Sequence, residues 1–84
     1  MTEQELIDSG FTKVYIPIEE SGDKTNYWYY TYDLSDNITL ISSDSDSSKE
    51  NWSVMLFEDD IEINDINDIR NLIDIFGKYK NKLP

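Results

Sequence analysis

Residues 52–76, WSVMLFEDDIEINDINDIRNLIDIF, change hydrophobic period midway, and that change limits the folds open to this chain. Trp52, Val54 and Leu56 alternate with Ser53, Met55 and Phe57, the period of a strand with apolar groups on both faces. After the acidic turn Glu58-Asp59-Asp60, Ile61 and Ile63 flank Glu62 in a second short strand. From Ile66 the period becomes helical. At ~100° per residue, Ile66, Ile69, Leu72, Ile73 and Phe76 fall within an arc of about 120°, with Asn67, Arg70, Asn71 and Asp74 opposite and Ile75 at a flank. Asn64 or Asp65 is placed to cap this helix, and Asp68 adds negative charge where the helix dipole favours it. Gly77 is expected to end it, ahead of Lys78, Lys80 and Lys82, which suit the negative helix end. A strand pair that feeds an amphipathic helix calls for a sheet packed by helices.

The residues before this stretch supply the other strands. Thr2 and Glu5 have capping-box spacing before Leu6 and Ile7, and Gly10 closes a short helix over 3–9. Leu6 and Ile7 are expected to face the core, with Phe11 packing past the C-cap. Residues 11–18 read as a strand, with Val14, Ile16 and Ile18 on one face and Lys13 and Tyr15 on the other. Pro17 cannot donate to a ladder and so marks a sheet edge. Residues 19–26 read as a turn. Residues 27–34, YWYYTYDL, form the clearest strand: Tyr27, Tyr29 and Thr31 point one way, Trp28, Tyr30, Tyr32 and Leu34 the other. Ser35-Asp36-Asn37 is turn chemistry, and residues 38–41 return as a hairpin strand. Residues 42–51, SSDSDSSKEN, read as a long, polar, flexible hairpin loop. The fold class is α+β: one domain over 1–84, an antiparallel sheet of four to five strands, a short N-terminal helix and an amphipathic C-terminal helix.

Composition excludes several kinds of chemistry. The 84 residues contain no Cys and no His, which removes disulfides, thiolate or imidazole metal ligands, and the nucleophile–base pairs of hydrolases. The three glycines stand alone at 10, 22 and 77, so no phosphate-cradling loop exists. Eighteen acids make a pair of carboxylates expected by chance, and no enzyme is predicted. Asp44, Asp46 and Ser48 resemble the opening of a calcium loop, but Lys49 and Met55 stand where that loop needs Gly and Glu. No metal or cofactor is expected. Asn37-Ile38-Thr39 and Asn51-Trp52-Ser53 match the glycosylation pattern by chance, because neither terminus carries a secretory pattern. No apolar run approaches the ~18 residues of a membrane span, and the cytoplasm is the expected location.

Charge is the strongest functional signal. The chain has 7 bases against 18 acids, a net of −11, which exceeds the magnitude of about 2–8 that solubility alone calls for. Residues 1–76 hold all eighteen acids and only Lys13, Lys24, Lys49 and Arg70, a net of −14. Such a surface repels nucleic acid and anionic membranes and attracts basic partners. Glu58, Asp59, Asp60, Glu62, Asp65 and Asp68 follow one another without a base between them. On an extended segment Glu58, Asp60 and Glu62 repeat at about 7 Å along one face, on the order of the spacing of phosphates along a nucleic-acid strand. Asp65 and Asp68 carry the acids onto the helix, and Asp44, Asp46 and Glu50 offer a second group. Asp65 and Asp68 have a structural role as helix-start residues; no such role is evident for Glu58, Asp59, Asp60 and Glu62.

These clustered acids, the small size and a bias toward Ile and Asn with no Ala, as A+T-rich phage genes encode, give a resemblance in kind. The chain resembles the small acidic phage-encoded DNA-mimic inhibitors, anti-CRISPR proteins among them. The resemblance implies a non-enzymatic inhibitor that docks on a basic nucleic-acid-binding cleft of a host defence protein such as a CRISPR effector. For such a nuclease, the arginines that read the PAM or the heteroduplex channel would be the docking points. The alternative is an interaction or assembly module that uses an aromatic sheet face, with Tyr27, Tyr29 and Phe57 forming a partner or dimer surface.

Overall fold

The computed structural model describes residues 1–21, 26–48, 51–56 and 61–80. The elements run α1 (Glu3–Asp8), β1 (Thr12–Ile16), α2 (Ile18–Ser21), β2 (Tyr27–Asp33), β3 (Thr39–Ser42), α3 (Ser45–Ser48), β4 (Val54–Leu56), β5 (Glu62–Ile63) and α4 (Ile66–Lys80). The fold is α+β: five antiparallel strands in the order β1-β2-β3-β4-β5, with a short N-terminal helix and a 15-residue C-terminal helix. Every strand pairs with its neighbour in sequence, so local hairpin closure builds the whole sheet.

Local chemistry fixes both ends of α1. Thr2 Oγ1 accepts from Glu5 N at 3.1 Å, and Glu5 Oε1 accepts from Thr2 N at 2.8 Å, which completes the capping box. At the other end Gly10 N donates to Ile7 O and Phe11 N donates to Leu6 O, at 3.1 and 3.2 Å. These are the two bonds of a Schellman cap, and Gly10 takes the required positive φ of 98°. The cap delivers Phe11 to the core beside Leu6. Ile7 does not follow Leu6 inward and is 46% exposed. A helix of six residues presents one narrow face to the sheet, and Leu6 occupies it.

Strand register divides the sheet into two faces. Pairings Tyr32↔Leu40, Leu40↔Leu56 and Val54↔Ile63 place these side chains on one face with Trp28 and Tyr30. Leu6, Ile66 and Ile69 from the helices join Tyr30, Leu40 and Val54 in a single buried cluster with Phe11, Leu34 and Trp52. Leu6, Leu40, Val54 and Ile69 are fully buried, each contributing about 1.5–3 kcal/mol by removal from water. Tyr30 packs edge-on against Trp52, with ring centroids 5.5 Å apart. The other face carries Val14, Ile16, Tyr27, Tyr29, Ile41 and Met55, by the pairings Val14↔Tyr29, Ile16↔Tyr27, Thr31↔Ile41 and Ile41↔Met55.

Several boundaries differ from those expected. Strand β1 stops at Ile16, and Ile18 begins a helical turn with its side chain exposed. Pro17 ends the ladder, and β1 is an edge strand. Residues 45–48 form a helical turn where a flexible loop was expected, because Asp44 caps it. Ile61 lies outside β5 and is 55% exposed: the pairing of β4 with β5 begins at Met55↔Glu62. Helix α4 runs through Gly77 to Lys80. Gly77 lacks the positive φ that a glycine stop needs, and no atom crowds its Cβ position.

Candidate partner-binding surface

The acidic positions divide by what their carboxylates do. Asp65 is the cap of α4: its Oδ1 accepts from Asn67 N at 2.8 Å, and its carbonyl accepts from Asp68 N and Ile69 N. Asp68 is exposed in the first turn, where the positive helix end favours it. Asp44 Oδ1 accepts from both the N–H and the hydroxyl of Ser47 at 2.8 Å, which makes it the cap of α3. Asp46 is exposed in the first turn of α3. Glu62 is exposed on β5, directly opposite Met55. Glu50, Glu58, Asp59 and Asp60 lie outside the described residues, and with them most of the extended array that sequence spacing picks out.

Topology nevertheless brings two separated acidic segments to one end of the sheet. Pairings Ser42↔Val54 and Val54↔Ile63 set the end of β3, the start of β4 and the end of β5 side by side. Asp44 and Asp46 follow β3 at that end, and Asp65 follows β5. Leu56 lies toward the opposite end of β4, and Glu62 precedes Ile63 on β5.

A hydroxyl network holds the Asp44–Asp46 end. Ser42 Oγ accepts from Tyr30 N at 2.8 Å and donates to Ser43 O. Ser43 Oγ bonds the buried Ser48 hydroxyl and accepts from Ser53 N at 3.1 Å. Ser45 Oγ accepts from Trp28 N, tying α3 to the start of β2. The sequence shows only a run of serines here; which hydroxyl meets which backbone group depends on the hairpin register.

Lys13, Lys78 and Arg70 sit on neutral groups. Lys13 Nζ lies 4.7 Å from the centre of the Trp28 ring, Lys78 Nζ lies 5.8 Å from that of Tyr79, and Arg70 Nε donates to Ser9 Oγ. Asp8, Glu19, Asp33, Asp36 and Asp74 join Asp46, Glu62, Asp65 and Asp68 as exposed acids. Among the described residues, no three acids come together in a way that could hold a metal ion, and no helix is long and apolar enough to cross a membrane.

The second sheet face is the largest feature that sequence spacing only half disclosed. Alternation marked Tyr27 and Tyr29, while Val14 and Ile16 read as ordinary strand residues. Register places all four together and adds Ile41 and Met55. None of the six belongs to the core cluster or packs against it. Comparison with known protein families, with curated proteins and with solved structures finds no match for this chain.

Proposed function

We propose that this protein is a non-enzymatic acidic inhibitor that occupies a basic nucleic-acid-binding cleft on another protein. A host defence protein such as a CRISPR effector is the kind of target that fits. The observation that carries this reading is the placement of charge. Nine acids of the described chain are exposed, while Lys13, Lys78 and Arg70 rest on two aromatic rings and a serine hydroxyl. The negative field therefore stays directed at solvent. Such a field draws in a basic partner quickly and does so less as salt rises. The protein then competes with nucleic acid for the same cationic groups, and no catalytic step is needed.

The test is capture from lysate on the immobilised protein at low and high salt, followed by elution with duplex DNA. The expected result is a nucleic-acid-binding protein retained at low salt and released by the duplex. Replacing Glu58, Asp60 and Glu62 together by Lys is expected to abolish capture while the circular dichroism spectrum persists. Retention that ignores both the duplex and the triple replacement rejects the reading.

A further inference from the structure

We infer that the second face of the sheet, centred on Tyr27 and Tyr29, docks an arginine-bearing surface of a protein partner. This inference rests on the basic-partner reading and names the surface that makes the contact. The face is continuous. Ile16 neighbours Tyr27, Val14 neighbours Tyr29, Thr31 neighbours Ile41, and Ile41 neighbours Met55. Met55 is 40% exposed, and of the other apolar members Tyr27 is exposed while Val14, Ile16, Tyr29 and Ile41 are half-buried. Every described helix residue of the buried core packs on the opposite face. An aromatic sheet face of this kind carries the residue types that dominate protein interfaces.

Charge selects the occupant. The register assigns to this face Thr12, Val14, Ile16, Tyr27, Tyr29, Thr31, Asp33, Thr39, Ile41, Met55 and Glu62. Two are acids and none is a base. Asp33 stands at the end of β2, its Oδ1 accepting from Thr39 Oγ1 at 2.8 Å, and Glu62 stands beyond Met55 on β5. A partner arginine can lay its stem on Val14, Ile16 or Ile41, stack its guanidinium on a tyrosine ring and direct its N–H groups to the acidic rim. A second copy of the chain would bring the same two acids and a further net charge of −11 to the same contact, which opposes self-docking.

The experiment titrates a nona-arginine peptide into isotopically labelled protein and follows backbone, tyrosine-ring and methyl signals. The expected result is a shift centred on Val14, Tyr27, Tyr29, Ile41 and Met55, and tighter binding than that of nona-lysine. Replacing Tyr27, Tyr29 and Met55 together by Ser is expected to weaken binding roughly tenfold, with the Tyr30 and Trp52 signals unmoved. Shifts confined to the acidic caps and turns overturn the docking surface and leave the basic-partner reading standing, and the wild-type titration decides this even if the triple variant unfolds. No binding of nona-arginine at low salt overturns that reading as well. Concentration-dependent broadening of the same face without peptide identifies a second copy as the occupant and also overturns the inference.

Discussion

The Tyr30 hydroxyl donates a 2.6 Å hydrogen bond to Glu3 Oε2, joining the middle of β2 to the first turn of α1. Trp28 Nε1 donates to the same oxygen at 2.7 Å. One carboxylate thus holds two aromatic strand residues and seats α1 over the core face. The helix is too short to persist alone, so this tie and the burial of Leu6 and Phe11 keep it in place.

The tie has a pH signature. Burial, then the hydrogen bond and charge of Glu3, push the Tyr30 phenol up to about 12 from its ordinary 10.0. The unfolded chain therefore releases this proton first, and ionisation favours unfolding between those values. Stability from this group is intact below pH 10 and is lost as pH rises toward 12, by on the order of 2–3 kcal/mol in all. Urea midpoints of the wild type compared with Tyr30→Phe isolate the effect: the phenylalanine variant should lack this increment of alkaline loss. Glu3→Gln keeps an acceptor and removes the charge, so tyrosinate absorbance should appear at lower pH while burial keeps part of the shift. Glu3→Ala strands both donors and should cost about 1–3 kcal/mol at neutral pH.

The two described glycines should respond in opposite directions. At Gly10 the φ of 98° excludes ordinary side chains, although an added Cβ would meet only Tyr32 Cε2 at 3.5 Å. Gly10→Ala should therefore destabilise through backbone strain, by about 1–2 kcal/mol. At Gly77 nothing lies within 4 Å, and the residue sits inside α4. Gly77→Ala should stabilise by about 0.5–1 kcal/mol. Chemical denaturation of the two variants side by side checks both signs; a destabilised Gly77→Ala would mean the helix ends where its sequence says.

Most of the fold was legible because its signals are local. Thr2 with Glu5, the alternation of residues 27–34 and the helical stripe from Ile66 each announce an element without help from elsewhere. Errors fell where tertiary surroundings decide. Ile7 and Ile61 are as apolar as their buried neighbours, but in a six-residue α1 and just outside a two-residue β5 they stay 46% and 55% exposed. Gly77 carries a stop signal that no contact enforces. Of the surface, the exposed Glu62 and the helix-start role of Asp65 could be read directly. The placement of Asp65 and Asp44 at the same end of the sheet, and the pairing of Val14 with Tyr29, could not, because register is a property of strand pairs.

The acids themselves can be sorted by charge and by hydrogen bonding. Asn caps a helix about as well as Asp does, so Asp65→Asn should keep the bond to Asn67 and hold stability within a few tenths of a kcal/mol. Asp65→Ala loses that bond and should cost about 1 kcal/mol. If Asp65 also serves the acidic surface, both variants should weaken low-salt binding of a basic probe by similar amounts despite their different stabilities. Glu62 accepts no bond that a helix or turn depends on, so Glu62→Gln should leave the urea midpoint unchanged or slightly higher, since it relieves like-charge repulsion. Its effect should appear in binding alone, and it should shrink as salt rises through the range where the Debye length falls below about 10 Å. A Glu62→Gln protein that loses stability but binds normally would return this carboxylate to a structural role and remove it from the partner surface.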